Sequence, residues 1–120
     1  MILDTSAIIA IALKEPGFEE LLEKLGRAPQ VGVGAPTAAE TAIVLSARLQ
    51  LDARSLLSRF LEEGSIATIP FGDDHFGLAI DAWLRFGKGR HPAALNFGDC
   101  LSYATAKLAG EPLLKRRIEN

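Results

Sequence analysis

The chain has 120 residues, 48% of them apolar and 23% charged, with a formal net charge of −2. This is the composition of one folded domain with a real core, which excludes disorder, and the charge balance argues against a broad basic surface for duplex DNA. One cysteine, Cys100, excludes an internal disulfide; the start lacks the basic segment of a signal peptide, and the apolar run 7–13 is too short to span a bilayer, so a cytoplasmic protein with no membrane segment is expected.

Ile2 and Leu3 read as a short buried strand. Asp4, Thr5 or Ser6 can cap the helix that follows, because their side-chain oxygens accept hydrogen bonds from its free N–H groups. Pro16 suits the first turn of a second helix, with Phe18, Leu21, Leu22 and Leu25 as its apolar stripe and Gly26 as its end. Residues 30–33 read as a second strand and 37–49 as a third helix. Asp52 can cap a fourth helix with Leu56, Leu57, Phe60 and Leu61 inward, ending at Gly64. "SIATIP" alternates like a strand. "FGDD" opens a fifth helix with Phe76, Ala79, Ile80 and Trp83 on one face, read as core, while His75 is read as a surface residue. "GKGRHPAALN" is a loop, since two glycines and a proline break any helix there. Residues 99–109 form a sixth helix, apolar around much of its circumference and so expected to be buried. "EPLL" reads as a last short strand. Strands alternating with helices predict an α/β sandwich: a short parallel sheet flanked by helices.

Sites in open parallel sheets form beyond the carboxyl ends of the strands, and Asp4 stands at such an end, where it serves either as a helix cap or as a ligand. Glu40 shares a face of the third helix with Ile43, Val44 and Ala47. It is either a wet first-turn residue favoured by the helix dipole or a carboxylate in need of a cation. Asp99 opens the sixth helix with the same two readings. Three acids at element termini, each beside apolar sequence, suggest convergence on one pocket. Hard oxygen ligands of this kind suit Mg²⁺ or Mn²⁺. Cys100 is read as a packed small side chain, because neighbouring carboxylates disfavour a thiolate.

The segments "MILDTSAIIAI", "PTAAETAIVLSARL" and "FGKGRHPAALNFGDCLSYATAKLAGEPLL" resemble, in order and spacing, the PIN-domain ribonucleases, and most of all the VapC toxins of type II toxin–antitoxin systems. The likeness runs over residues 1–114, and 86–114 is its most specific part. It implies a PIN-like α/β sandwich and a Mg²⁺- or Mn²⁺-dependent endoribonuclease in which metal-activated water cleaves RNA to leave a 5′-phosphate and a 3′-hydroxyl. It also implies a homodimer silenced by a VapB-like antitoxin. Asp4, Glu40 and Asp99 correspond to the family's first three acids, and Thr5 or Ser6 would sit beside the metal and orient water. A single PIN-like domain over 1–120 is expected, with an atypical or truncated end after about residue 114. There the family's further Asp has no evident counterpart in "KRRIEN", and Glu119 does not match its context.

Lys88, Arg90 and His91 form either a solvated basic turn or a contact for RNA phosphates or an acidic antitoxin tail. Lys115, Arg116 and Arg117 read as a solvated basic end. Two rivals remain at this level. One is a catalytically impaired domain that binds RNA or antitoxin without efficient turnover. The other is an aspartyl-nucleophile phosphatase using Asp4, which the serine at position 6 disfavours.

Overall fold

The structure, a computed structural model, describes residues 1–116. Its elements are β1 (Ile2–Leu3), α1 (Thr5–Ala12), α2 (Phe18–Arg27), β2 (Gly32–Gly34), α3 (Ala35–Leu49), α4 (Arg54–Glu63), β3 (Ala67–Ile69), α5 (Asp73–Phe86), α6 (Phe97–Ala109) and β4 (Leu113–Leu114). The expected α/β class holds. The four strands are all parallel, in the order β3-β2-β1-β4, with Ile2 opposite both Gly32 and Leu113. β1 therefore has β2 on one side and β4 on the other. The crevice at the carboxyl ends of β1 and β4 is the switch point where such sheets bind ligands.

The main core gathers Leu3, Ile8, Leu21, Val33, Leu57, Ile66 and Leu114 from the sheet and from α1, α2 and α4. Leu3, Ile8 and Val33 are wholly buried, and each such side chain contributes about 1.5–3 kcal/mol. A smaller core joins α5 and α6 through Ala79, Ala82, Cys100 and Ala104. Hydroxyls and small residues link α6 to the rest. Thr37 and Ser102 are buried and share a hydrogen bond of 3.3 Å. Gly34 lies so close to Thr105 that a Cβ on it would stand 2.7 Å from Oγ1.

Several boundaries and faces differ from expectation. Gly17 adopts a left-handed φ of 90°, so the chain turns there and α2 begins after it, leaving Pro16 outside. Gly26 lies within α2, which runs on to Arg27. α3 starts at Ala35 because Pro36 suits a first turn, and Glu40 accordingly lies beyond that turn. α6 starts at Phe97, capped by Asn96. Gly64 ends α4 as expected, and Gly110 ends α6. The outer row of α5 is not core: Phe76, Ile80 and Trp83 are 65%, 47% and 42% exposed. Small Ala79 and Ala82 meet α6 in their place, since short side chains let two helices approach. His75, expected at the surface, is buried. Its ring stacks on Phe71, and its Nδ1 accepts a 3.0 Å bond from the Gly72 N–H. Among the described residues no helix is long and apolar enough to cross a membrane.

Candidate active site

Asp4, Glu40 and Asp99 all line one cleft of about 330 Å³, together with Glu15, Arg48 and Arg116. Each acid arrives on a different element. Asp4 follows the two residues of β1, and its N–H donates to the Leu114 carbonyl across to β4 (3.0 Å). Its Oδ2 accepts from the Ser6 N–H at 3.0 Å. Asp4 is thus the N-cap of α1 and also lines the cleft, so the two readings are not exclusive. It is only 4% exposed, and a carboxylate so buried calls for a compensating cation or donors.

Glu40 reaches the cleft on the row 40-44-48 of α3, which brings Val44 and Arg48 with it. The face predicted for it was wrong in part: Ile43 is 69% exposed and Ala47 is exposed, so both point away. The row 37-41-45 is the buried one. The Glu40 Oε1 accepts a 2.6 Å hydrogen bond from the Thr5 hydroxyl. The backbone of Gly98 abuts the same carboxylate, for a Cβ there would lie 2.5 Å from Oε2.

Asp99 occupies the third position of α6 and completes a capping box. Its N–H donates to Asn96 Oδ1 (2.9 Å) while its Oδ2 accepts from the Asn96 N–H (3.0 Å). Its other oxygen, Oδ1, takes the Lys115 ammonium at 3.3 Å. The end of the described chain is therefore not a free basic tail. Lys115 and Arg116 are partly buried, and the Arg116 N–H donates to the Ser6 hydroxyl oxygen at 3.0 Å. Arg117 and Glu119 lie outside the described residues.

The donor set is all carboxylate oxygen, which suits a hard divalent ion. Among the described residues, however, no three acid, histidine or cysteine side chains are gathered tightly enough to hold one ion. Thr5 engages Glu40 and Lys115 engages Asp99. The residues fit the ion in kind and in sharing a cleft, and Asp99 would exchange a lysine for it.

Sequence reasoning missed Glu15 and Arg48 and misjudged Arg116. The Glu15 carboxylate bridges both guanidiniums, with Oε2 to Arg48 Nη1 and Oε1 to Arg116 Nη1, each at 3.1 Å. Arg48 was within reach of helical periodicity, two turns beyond Glu40. Glu15 carried no signal in its "KEPG" turn. Lys88, Arg90 and His91 are exposed and not among the residues lining the cleft. Arg90 instead lies over the Trp83 ring at 4.9 Å and donates to the Leu84 carbonyl. Cys100 is buried, and burial with the Asp99 charge beside it pushes its thiol pKa up, in keeping with a packing role.

The family model of the PIN domain matches residues 1–117. The chain is 44% identical over 115 residues to Ribonuclease VapC36 of Mycobacterium tuberculosis, covering 95% of this chain and 83% of the relative. It is 40% identical over 114 residues to Ribonuclease VapC of Mycolicibacterium smegmatis, covering 95% and 88%. Among solved structures it resembles Mycobacterium tuberculosis VapC20, described as a sarcin–ricin loop cleaving toxin, with a TM-score of 0.70 at 19% identity, over 92% of this chain and 83% of that one. A chain of a toxin–antitoxin complex from Klebsiella pneumoniae gives 0.69 at 20% identity, over 97% and 85%. A PIN-domain match over nearly the whole chain and VapC relatives above 30% identity agree with the sheet and its switch-point cleft: the chain belongs to the PIN domain family, in its VapC branch.

Proposed function

We propose that this chain is a divalent-metal-dependent endoribonuclease and the toxin of a toxin–antitoxin pair, acting in the cytoplasm as a single PIN domain. The observation that carries the reading is the meeting of Asp4, Glu40 and Asp99, from three separate elements, in one cleft at the switch point. Asp4, Glu40 and Asp99 would hold Mg²⁺ or Mn²⁺. Once bound, the ion supplies a water of lowered pKa and positive charge opposite the phosphoryl oxygens. Thr5 orients Glu40 through its hydroxyl, and the Asn96 capping box fixes the Asp99 carboxylate. No protein nucleophile is required.

The partners in this reading are RNA, a VapB-like antitoxin and a second copy of the chain. The exposed row Phe76, Ile80 and Trp83 is the surface that a homodimer would cover. Lys88, Arg90 and His91 stand on the loop that leads into α6, where they would meet RNA phosphates. Loss of antitoxin binding alone in a Lys88→Ala, Arg90→Ala variant would reassign them to that partner.

One observation favours a second reading, a domain that binds RNA or antitoxin with little turnover: Lys115 already holds Asp99. Cleavage of labelled bacterial ribosomal RNA in Mg²⁺, in Mn²⁺ and in EDTA decides between them. Metal-dependent cleavage abolished by Asp4→Asn is expected. Binding without cleavage in either ion would establish the second reading instead.

A further inference from the structure

We infer that Arg48 and Arg116, held together on Glu15, form a subsite for an RNA backbone phosphate flanking the one that is cleaved; the inference rests on the ribonuclease reading above. Both guanidiniums line the same cleft as the three acids. They come from the end of α3 and from the segment after β4, while Glu15 lies in the turn between α1 and α2. One carboxylate thus joins three distant parts of the chain at a single point.

Two guanidiniums repel each other, and a carboxylate with one oxygen on each keeps them side by side. The cluster of one acid and two arginines is net positive. Arg48 uses Nη1 on Glu15, its one side-chain hydrogen bond among the described residues. Arg116 uses Nη1 on Glu15 and Nη2 on the Pro16 carbonyl. A guanidinium has five N–H donors in a planar fork that matches a phosphate, so donors remain on both. The side chains are already positioned, which lowers the ordering cost of binding.

Charged side chains of both signs line the cleft, beside the apolar Ile9 and Val44. Asp4, Glu40 and Asp99 supply groups suited to a cation, and the two arginines supply groups suited to an anion. Arg48 lies eight residues beyond Glu40 on one helical row, roughly 12 Å along the axis. That is a backbone separation; among the described residues both guanidiniums pair with Glu15 and neither with Asp4, Glu40 or Asp99, so the arginines are assigned to positioning the strand.

The test is binding of a short labelled single-stranded RNA in EDTA, read by fluorescence anisotropy over a series of KCl concentrations. Arg48→Gln and Arg116→Gln should each weaken binding and reduce the slope of log K against log salt by about 0.7, the value for one phosphate contact on a single strand. Arg48→Lys keeps the charge and should keep the slope. A merely structural ion pair would leave the slope unchanged in both glutamine variants, and that result overturns the inference, as does a wild-type chain that fails to bind the RNA. Because binding is read without metal, failure to cleave in Mn²⁺ would count against the nuclease reading while leaving this readout intact.

Discussion

Replacing Gly98 with alanine should separate the fold from the site. The new Cβ would stand 2.5 Å from Glu40 Oε2 and 2.9 Å from Oε1. The carboxylate must therefore retreat by roughly 1 Å to reach ordinary contact. It is the far end of a flexible side chain, so it can move without the backbone following. The retreat breaks the 2.6 Å hydrogen bond from Thr5, a loss of about 0.5–1.5 kcal/mol. Alanine in a helix is favoured over glycine by about 0.5–1 kcal/mol. The two terms offset each other, so stability in urea should stay within about 1 kcal/mol of wild type. The proposed ligand role of Glu40 has no such offset, because a displacement of about 1 Å at a reacting centre costs on the order of 100-fold in rate. Single-turnover cleavage in saturating Mn²⁺, beside urea titrations in EDTA, measures both. A variant that cleaves as fast as wild type would show that the rate does not depend on where Glu40 sits. A stability loss above about 2 kcal/mol would show that the carboxylate is not free to retreat.

Asp4→Asn should keep the cap on α1, since Asn and Asp cap equally well, whereas Asp4→Ala should lose about 1 kcal/mol in denaturation. Calorimetry should show weaker Mn²⁺ binding by both, and wild-type affinity in the Asn variant would remove Asp4 from the ligand set. Lys115→Met should strengthen Mn²⁺ binding by up to about fivefold, because a partly exposed pair of this kind is worth about 0.2–1 kcal/mol; an unchanged isotherm means that Lys115 does not compete. Gly34→Ala should cost about 1–3 kcal/mol in urea through its collision with buried Thr105, and a neutral result would refute the close approach. Cys100, with its pKa raised by burial first and the Asp99 charge second, should react slowly with a thiol reagent at mildly alkaline pH until the chain is unfolded; fast labelling of the native protein would contradict this.

The strand–helix alternation was legible because each strand is a short apolar run closed by capping or turn residues, as in "MILDTS". The three acids were legible because charge beside apolar sequence needs a reason. Periodicity found the stripe on α5 but did not tell which side of it a neighbour covers. Ala79 and Ala82 make the contact, and small residues carry little weight in an apolar pattern. The first-turn alternative for Glu40 depends on a helix start at Thr37, and Pro36 moves that start two residues earlier, to Ala35. The bridge from Glu15 to Arg48 and Arg116 joins residues 33 and 101 positions apart, and no local pattern encodes such a meeting.

The hydroxyl contacts beneath α6 have a consequence for how that helix is registered along its own axis. An apolar interface tolerates sliding, since one methyl group serves nearly as well as the next. A hydrogen bond between Thr37 and Ser102, and a glycine with room for one threonine only at Thr105, do not. A slip of one residue is about 1.5 Å along the axis, enough to part the first pair and jam the second. Asp99 stands one turn upstream of Ser102 on the same rod. The two threonines and the serine therefore act as a ratchet stop that sets how far the third acid projects over the end of the sheet.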